Sequence, residues 1–176
     1  LDPARSYSEA EARFLAQIYE PLVQYHFLKR PYELVPLTVS EMPRPRYLDG
    51  AGRPLPDSAP DSSIAFSVYE MRIKAGIQYQ PHPAFARNGE SYTYHDLSAA
   101  DHAAYFAPAD FPEQGTRELT AADYVYQIKR LADPRRSSPL FGLMSAYIVG
   151  LGDLGKTLAE ALKDAPPGFV DLREYE

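Results

Sequence analysis

Cysteine is absent from the chain. That excludes a disulfide framework, thiolate zinc ligation and a cysteine nucleophile together, while leaving the redox compartment open. Positive charge is in short supply as well: 18 Lys and Arg stand against 24 Asp and Glu, a net charge of −6. A domain this negative has no electrostatic reason to bind a phosphate backbone, so nucleic acid is not an expected partner. Long apolar runs are missing. The longest uncharged stretch, 137–152, is interrupted by Gly142, Ser145, Gly150 and Gly152 and falls short of the ~20 residues that span a bilayer. The chain opens on Leu1 with no basic segment and apolar core behind it, so a targeting peptide is expected to have been removed or never included. No internal repeat is found. What remains, 45% hydrophobic and 24% charged over 176 residues, suits one ordinary globular domain or a large piece of a bigger one.

Proline is plentiful and clustered. Pro43, Pro45, Pro54, Pro56 and Pro60, with Gly50 and Gly52, deny helix and sheet interior to 42–60, which reads as an exposed Pro-rich loop. A second irregular stretch, 81–115, carries Pro81, Pro83, Pro108 and Pro112 around an Asn88-Gly89 turn. Both exceed ordinary connections, and long loops are usually functional or mobile.

Between them the hydrophobic pattern is periodic. Ser8 and Glu11 form a capping-box pattern, after which Phe14, Leu15, Ile18, Tyr19 and Leu22 recur at helical spacing until Pro21 forces an end. A strand is expected over 22–27. Tyr69, Met71 and Ile73 alternate with charged residues, and after Ala75-Gly76 the alternation resumes at Ile77 and Tyr79, which predicts a hairpin over 69–79. Ile64, Phe66 and Val68 alternate in the opposite phase, implying a bulge or a strand buried on both faces. Thr120 and Asp123 open a helix with a stripe of Tyr124, Val125, Ile128, Leu131 and Ala132, closed by Asp133-Pro134. Ser138-Pro139 opens another, followed by Leu140, Leu143, Met144, Tyr147, Ile148 and Leu151. Asp153 caps a last helix with Leu154, Leu158 and Leu162 on one face, stopped by Pro166-Pro167-Gly168. The tail 169–176 is expected to be disordered, since nothing local orders it.

The order of these pieces carries a resemblance. Leu1-Asp2-Pro3, Tyr19-Glu20-Pro21-Leu22, the segment 69–79, Leu119-Thr120-Ala121-Ala122-Asp123-Tyr124-Val125-Tyr126 and Arg130-Leu131-Ala132-Asp133-Pro134 followed by Ser138-Pro139 resemble the family 5 extracellular solute-binding proteins. These are the oligopeptide, dipeptide and nickel receptors of bacterial ABC importers. The family pattern runs from an LDP start through a YEGL-like strand, a YTFxLRxGVKF hairpin and an LTAxDVVYS helix to an RLxDP stop, and five segments in the right order make the match specific. The resemblance implies an α/β fold of the α+β type: a small mixed or antiparallel sheet with packed helices, like the smaller subdomain of lobe I of a type II periplasmic binding protein. The whole of 1–176 would then be a single partial domain, with 81–115 a long insertion where relatives need only a short turn. Pro21 also departs from the family, which often has Gly there.

What the resemblance implies for function follows. The protein would be a periplasmic, or cell-surface and exported, subunit that delivers peptides or similar small solutes to the membrane permease of an ABC importer. Its family cleft positions are Glu20, Pro21 and Leu22 together with Leu140 and Phe141. Leu140 and Phe141 also lie at helix-core spacing, so burial explains them equally. A fragment lacking the second lobe is expected to bind no solute tightly, and its 69–79 strands, with no proline from Ile64 to Gln80, are expected to leave an exposed sheet edge through which copies self-associate. A non-transport interaction or sensing module reusing the subdomain is the alternative.

Catalysis has little to rest on. His95-Asp96 and Asp101-His102 lie close together, but no HExxH spacing exists, and His26 and His82 are isolated, so no metal is expected. No GxSxG segment aims a serine, and neither an enzyme nor a cofactor is expected. Among the 14 Tyr, Tyr69, Tyr79, Tyr124 and Tyr147 fit hairpin and helix packing, whereas Tyr92, Tyr94 and Tyr105 are either loop packing or a contact surface. Lys129, Arg130, Arg135 and Arg136 gather at a helix C-terminus, where cations complement the dipole.

Overall fold

The computed structural model describes residues 1–164 and 170–175. In chain order it contains α1 (Glu9–Ile18), β1 (Val23–Tyr25), β2 (Leu34–Pro36), β3 (Pro45–Leu48), β4 (Pro54–Leu55), β5 (Phe66–Tyr69), β6 (Arg87–Asn88), β7 (Ser91–Tyr92), α2 (Ala99–Ala104), α3 (Ala121–Leu131), α4 (Phe141–Tyr147) and α5 (Leu151–Ala161). Short 3-10 turns punctuate them. The class is mixed α and β, with small antiparallel sheets and several helices. No helix among the described residues is long and apolar enough to cross a membrane. The chain divides into two compact units, one made of Leu1–Arg72 and Thr120–Glu176, the other of Ile73–Leu119. A division into one body plus a loop at 81–115 therefore gives way to two folded bodies.

In the larger unit, α1 starts as its sequence dictates: the Ser8 hydroxyl accepts from the Glu11 N–H, and the Glu11 carboxylate accepts from the Ser8 N–H. Its stripe of Phe14 and Ile18 is nevertheless exposed, and no α1 residue is buried. The expected 22–27 strand is β1, which pairs antiparallel with β2. The Leu22 carbonyl then accepts from the N–H groups of Leu37, Thr38 and Val39, turning the chain inward at two buried residues, Thr38 and Val39.

The Pro-rich 42–60 segment is a hairpin rather than a loop. Strand β3 lies centrally, with β4 on one side and β5 on the other, both antiparallel. Proline is tolerated because Pro45 opens β3 and Pro54 opens the edge strand β4, where a missing N–H costs no central ladder bond. The Asp49 carboxylate closes the turn by accepting from the N–H groups of Ala51 and Arg53 at 2.9 Å each. The 69–79 hairpin does not form. Strand β5 ends at Tyr69, so the phase change after Val68 marks a strand end and not a bulge.

The core of the unit is helical. Ala132, Leu151, Leu154, Leu158 and Leu172 are buried together, with Tyr126, Ile128, Phe141, Met144 and Ile148 packed around them. Leu131 and Ala132 are buried as their stripe requires, but Val125 faces out, as do Leu143 and Tyr147 of the next helix. Helix α5 begins after Gly150, whose φ of +85° turns the chain, rather than at Asp153, which sits in the first turn and pairs with Lys156 at 2.8 Å. The stop at Pro166-Pro167-Gly168 lies outside the described residues. The described part of the tail is ordered: Leu172 is 2% exposed in the core, and the Lys129 ammonium donates to the carbonyls of Leu172 and Tyr175. An apolar side chain and two accepted hydrogen bonds supply the order that local sequence does not.

The Ile73–Leu119 unit is held at its base by antiparallel contacts. Leu119 N–H donates to the Ile77 carbonyl and Tyr79 N–H to the Arg117 carbonyl, at 2.8 and 2.9 Å. His82 and Gly115 exchange both backbone bonds, and a Cβ on Gly115 would stand 2.1 Å from the Phe85 carbonyl oxygen, so glycine is required there. Beyond that, β6 and β7 pair across Gly89 at φ +62°, and α2 is capped by Ser98 and Asp101.

Candidate functional site

Glu20, Pro21 and Leu22 serve as backbone acceptors at one junction of the larger unit. The Tyr124 hydroxyl donates to the Glu20 carbonyl at 3.0 Å and lies 2.7 Å from the Thr38 hydroxyl, which donates to the Pro21 carbonyl at 3.2 Å. Leu140 and Phe141 belong elsewhere. Phe141 packs so closely on α5 that a Cβ on Gly155 would be 2.4 Å from its ring, and Leu140 precedes α4 at its N-cap. The two predicted groups are therefore tied into different neighbourhoods, and Phe141 is a packing residue.

The basic residues of the α3 end are paired. Arg130 meets Asp2 at 2.6 Å and Arg136 meets it at 3.8 Å, while Arg135 grips Asp133 through two nitrogens at 3.0 and 3.1 Å. Burial works against ionisation of Asp2, but the Ala4 N–H and the Arg130 and Arg136 guanidiniums outweigh it and hold its carboxyl below the ordinary range. This arrangement joins the chain start to the end of α3 and presents no open anion site.

A recess is found in the Ile73–Leu119 unit. Tyr94, Tyr105 and Phe111 form an aromatic cluster: Tyr105 and Phe111 are 4.3 Å apart between ring centres, and Tyr94 meets Phe111 edge-on at 4.9 Å. These rings, with His82, Leu97 and Phe106, line a cavity of about 290 Å³. Three chain features set it. The Ser98–Asp101 cap fixes α2 just after Leu97, and Tyr105 follows at its C-terminus. The Asp110 carboxylate accepts from the N–H groups of Phe106 and Ala107, at 2.8 Å each. The Tyr94 hydroxyl accepts from the Glu113 N–H at 3.0 Å.

No family model, curated protein or solved structure matches the chain. The site is therefore argued from its own chemistry. Ring faces and one imidazole suit the holding of an apolar or cationic group. Among the described residues no three His, Asp or Glu side chains gather where they could hold a metal ion. His26 Nδ1 accepts from the N–H groups of Leu28 and Lys29, His82 Nδ1 accepts from the Ala84 N–H, and His95 and Asp96 border a separate polar hollow with Ser91 and Thr93. Asp101 is held below the ordinary carboxylate range by the Ser98 hydroxyl and N–H, as a helix cap.

Of the three tyrosines without a periodic reason, Tyr94 and Tyr105 pack with each other and line the cavity. Tyr92 instead lies under the Arg87 guanidinium, 4.4 Å from its ring centre. Leu97, Phe106 and Phe111 had no pattern to single them out. Five aromatic residues between 92 and 111, in a stretch with no hydrophobic period, were the available signal.

Proposed function

We propose that the chain is part of an exported solute-binding protein that hands peptides, or similar small solutes, to the permease of an ABC importer. The observation that carries the reading is the way its signature segments, remote in sequence, are bonded to one another. Asp2 of the LDP start meets Arg130 and Arg136 around the RLADP segment. Tyr124 of the LTAADYVY helix reaches the Glu20 carbonyl of the YEPL segment. Segments matched independently in the linear pattern thus act as mutual supports, which chance similarity of short motifs does not require.

The activity is binding without chemistry. A ligand held between two lobes favours their closed arrangement, and the permease reads that arrangement. Glu20 to Leu22 contribute a backbone edge fixed by Tyr124 and Thr38; Phe141 packs separately, against α5. Uptake provides the test. Cells deleted for the gene should lose most of their uptake of a labelled mixture of short peptides and recover it when the gene is restored. Unchanged uptake in the deletion would contradict the proposal.

A further inference from the structure

The Ile73–Leu119 unit is acidic in composition. Its Glu90, Asp96, Asp101, Asp110, Glu113 and Glu118 outnumber Lys74, Arg87 and Arg117, and no Lys or Arg occurs from Asn88 to Thr116. Two of its cations already lie on ring faces. The Arg87 guanidinium stands over Tyr92, and that of Arg117 stands 4.6 Å from the centre of Tyr79 and 5.4 Å from that of Phe85. Among the described residues, no cation of the chain stands over Tyr94, Tyr105 or Phe111, although these rings line the cavity.

We propose that this cavity receives the guanidinium side chain of an arginine carried by a peptide. Ring quadrupoles attract a cation, and a planar, weakly hydrated guanidinium stacks on them better than an ammonium does. Asp110 supplies the countercharge. One of its oxygens accepts from the N–H groups of two lining residues, Phe106 and Ala107, which leaves the other to pair with an incoming donor. At about 290 Å³ the recess lies at the small end of ligand cavities, matching one side chain rather than a whole peptide. Phe106, 87% exposed, stands at the mouth where the peptide stem would lie. The proposal is independent of the import reading, since its contacts all come from one unit.

The test titrates the full chain with acetyl-Ala-Arg-Ala-amide, following the Tyr ring signals by NMR. Its citrulline counterpart, which keeps the shape and loses the charge, is titrated in parallel. The arginine peptide should saturate shifts of Tyr94 and Tyr105 and bind at least about tenfold more tightly than the citrulline peptide. Asp110→Asn, which keeps a carbonyl to cap Phe106 and Ala107, should weaken arginine binding about fivefold or more, while Asp153→Asn on α5 leaves it unchanged. Equal binding of the two peptides, shifts confined to rings outside the cavity, or full affinity in Asp110→Asn would each overturn the proposal. Unchanged peptide uptake in the gene deletion, with these shifts intact, would count against the import reading alone.

Discussion

Asp133 shows how a single residue serves the fold. Its side chain is 2% exposed, and it is capped by the Arg135 N–H and gripped by the guanidiniums of Arg135 and, at 3.7 Å, Arg136. Burial alone would push its carboxyl up, but the Arg135 side chain and N–H, with the two guanidinium charges, outweigh burial and hold it below its ordinary 3.8. A depressed carboxylate contributes stability that is full above the unfolded value and is lost as pH falls through the folded one. Asp133→Asn should therefore cost about 2 kcal/mol at pH 7, as expected for a desolvated charge pair that is partly exposed on the arginine side. In urea unfolding, the gap between the two proteins should stay constant down to about pH 5 and narrow below 3.8. A gap that widened with acid would remove this role. The Asp133-Pro134 stop was legible in the sequence, because Pro cannot continue a helix interior. Its partners were not, since Arg135 and Arg136 read equally well as cations facing a helix dipole.

At the scale of elements, α4 and α5 are set against each other by Gly155. The absence of a side chain there lets the Phe141 ring approach, and a Cβ would lie 2.4 Å from it. Gly155→Ala should gain up to about 1 kcal/mol of helix propensity but lose about 2 kcal/mol or more to the displaced ring. The net loss should be recovered in Gly155→Ala with Phe141→Leu, where the smaller side chain clears the methyl. Calorimetric melting of the single and double variants measures both. A stabilised single variant would show that the ring simply swings aside. Helices α1 and α3 were readable from caps and periodicity, and the body of α5 from its Leu154, Leu158 and Leu162 stripe though not its start at Gly150, because those signals are local. The 42–60 hairpin was not, since Pro45 and Pro54 forbid a strand only in its interior and occupy its ends instead. Nor was the end of β5 at Tyr69: the alternation across 69–79 is real, but the limb after Gly76 bonds to 117–119. Partners 40 residues away leave no mark on a local pattern. The aromatic cavity escaped for the same reason, because its walls come from separate turns around 82, 94, 105 and 111.

For the whole molecule, the division at Ile73–Leu119 makes a separable prediction. Chain enters and leaves that unit along one antiparallel base, Ile77 and Tyr79 facing Leu119 and Arg117. Replacing 81–115 by a two-residue turn should leave the larger unit folded, with its melting temperature changed by only a few degrees. Loss of cooperative melting would show that the two units fold as one. The larger unit keeps Phe14, Ile18, Tyr25, Phe27 and Leu28 exposed, and β5 has a side that no described strand pairs. Such a surface suits a protein that works against other surfaces. The central claim, capture of peptide solutes, is tested most directly by equilibrium dialysis of the polypeptide, at the length its gene encodes, against a mixture of short peptides, with the retained molecules identified by mass spectrometry. Peptides retained at close to one per chain are the predicted result; retention of none would contradict it.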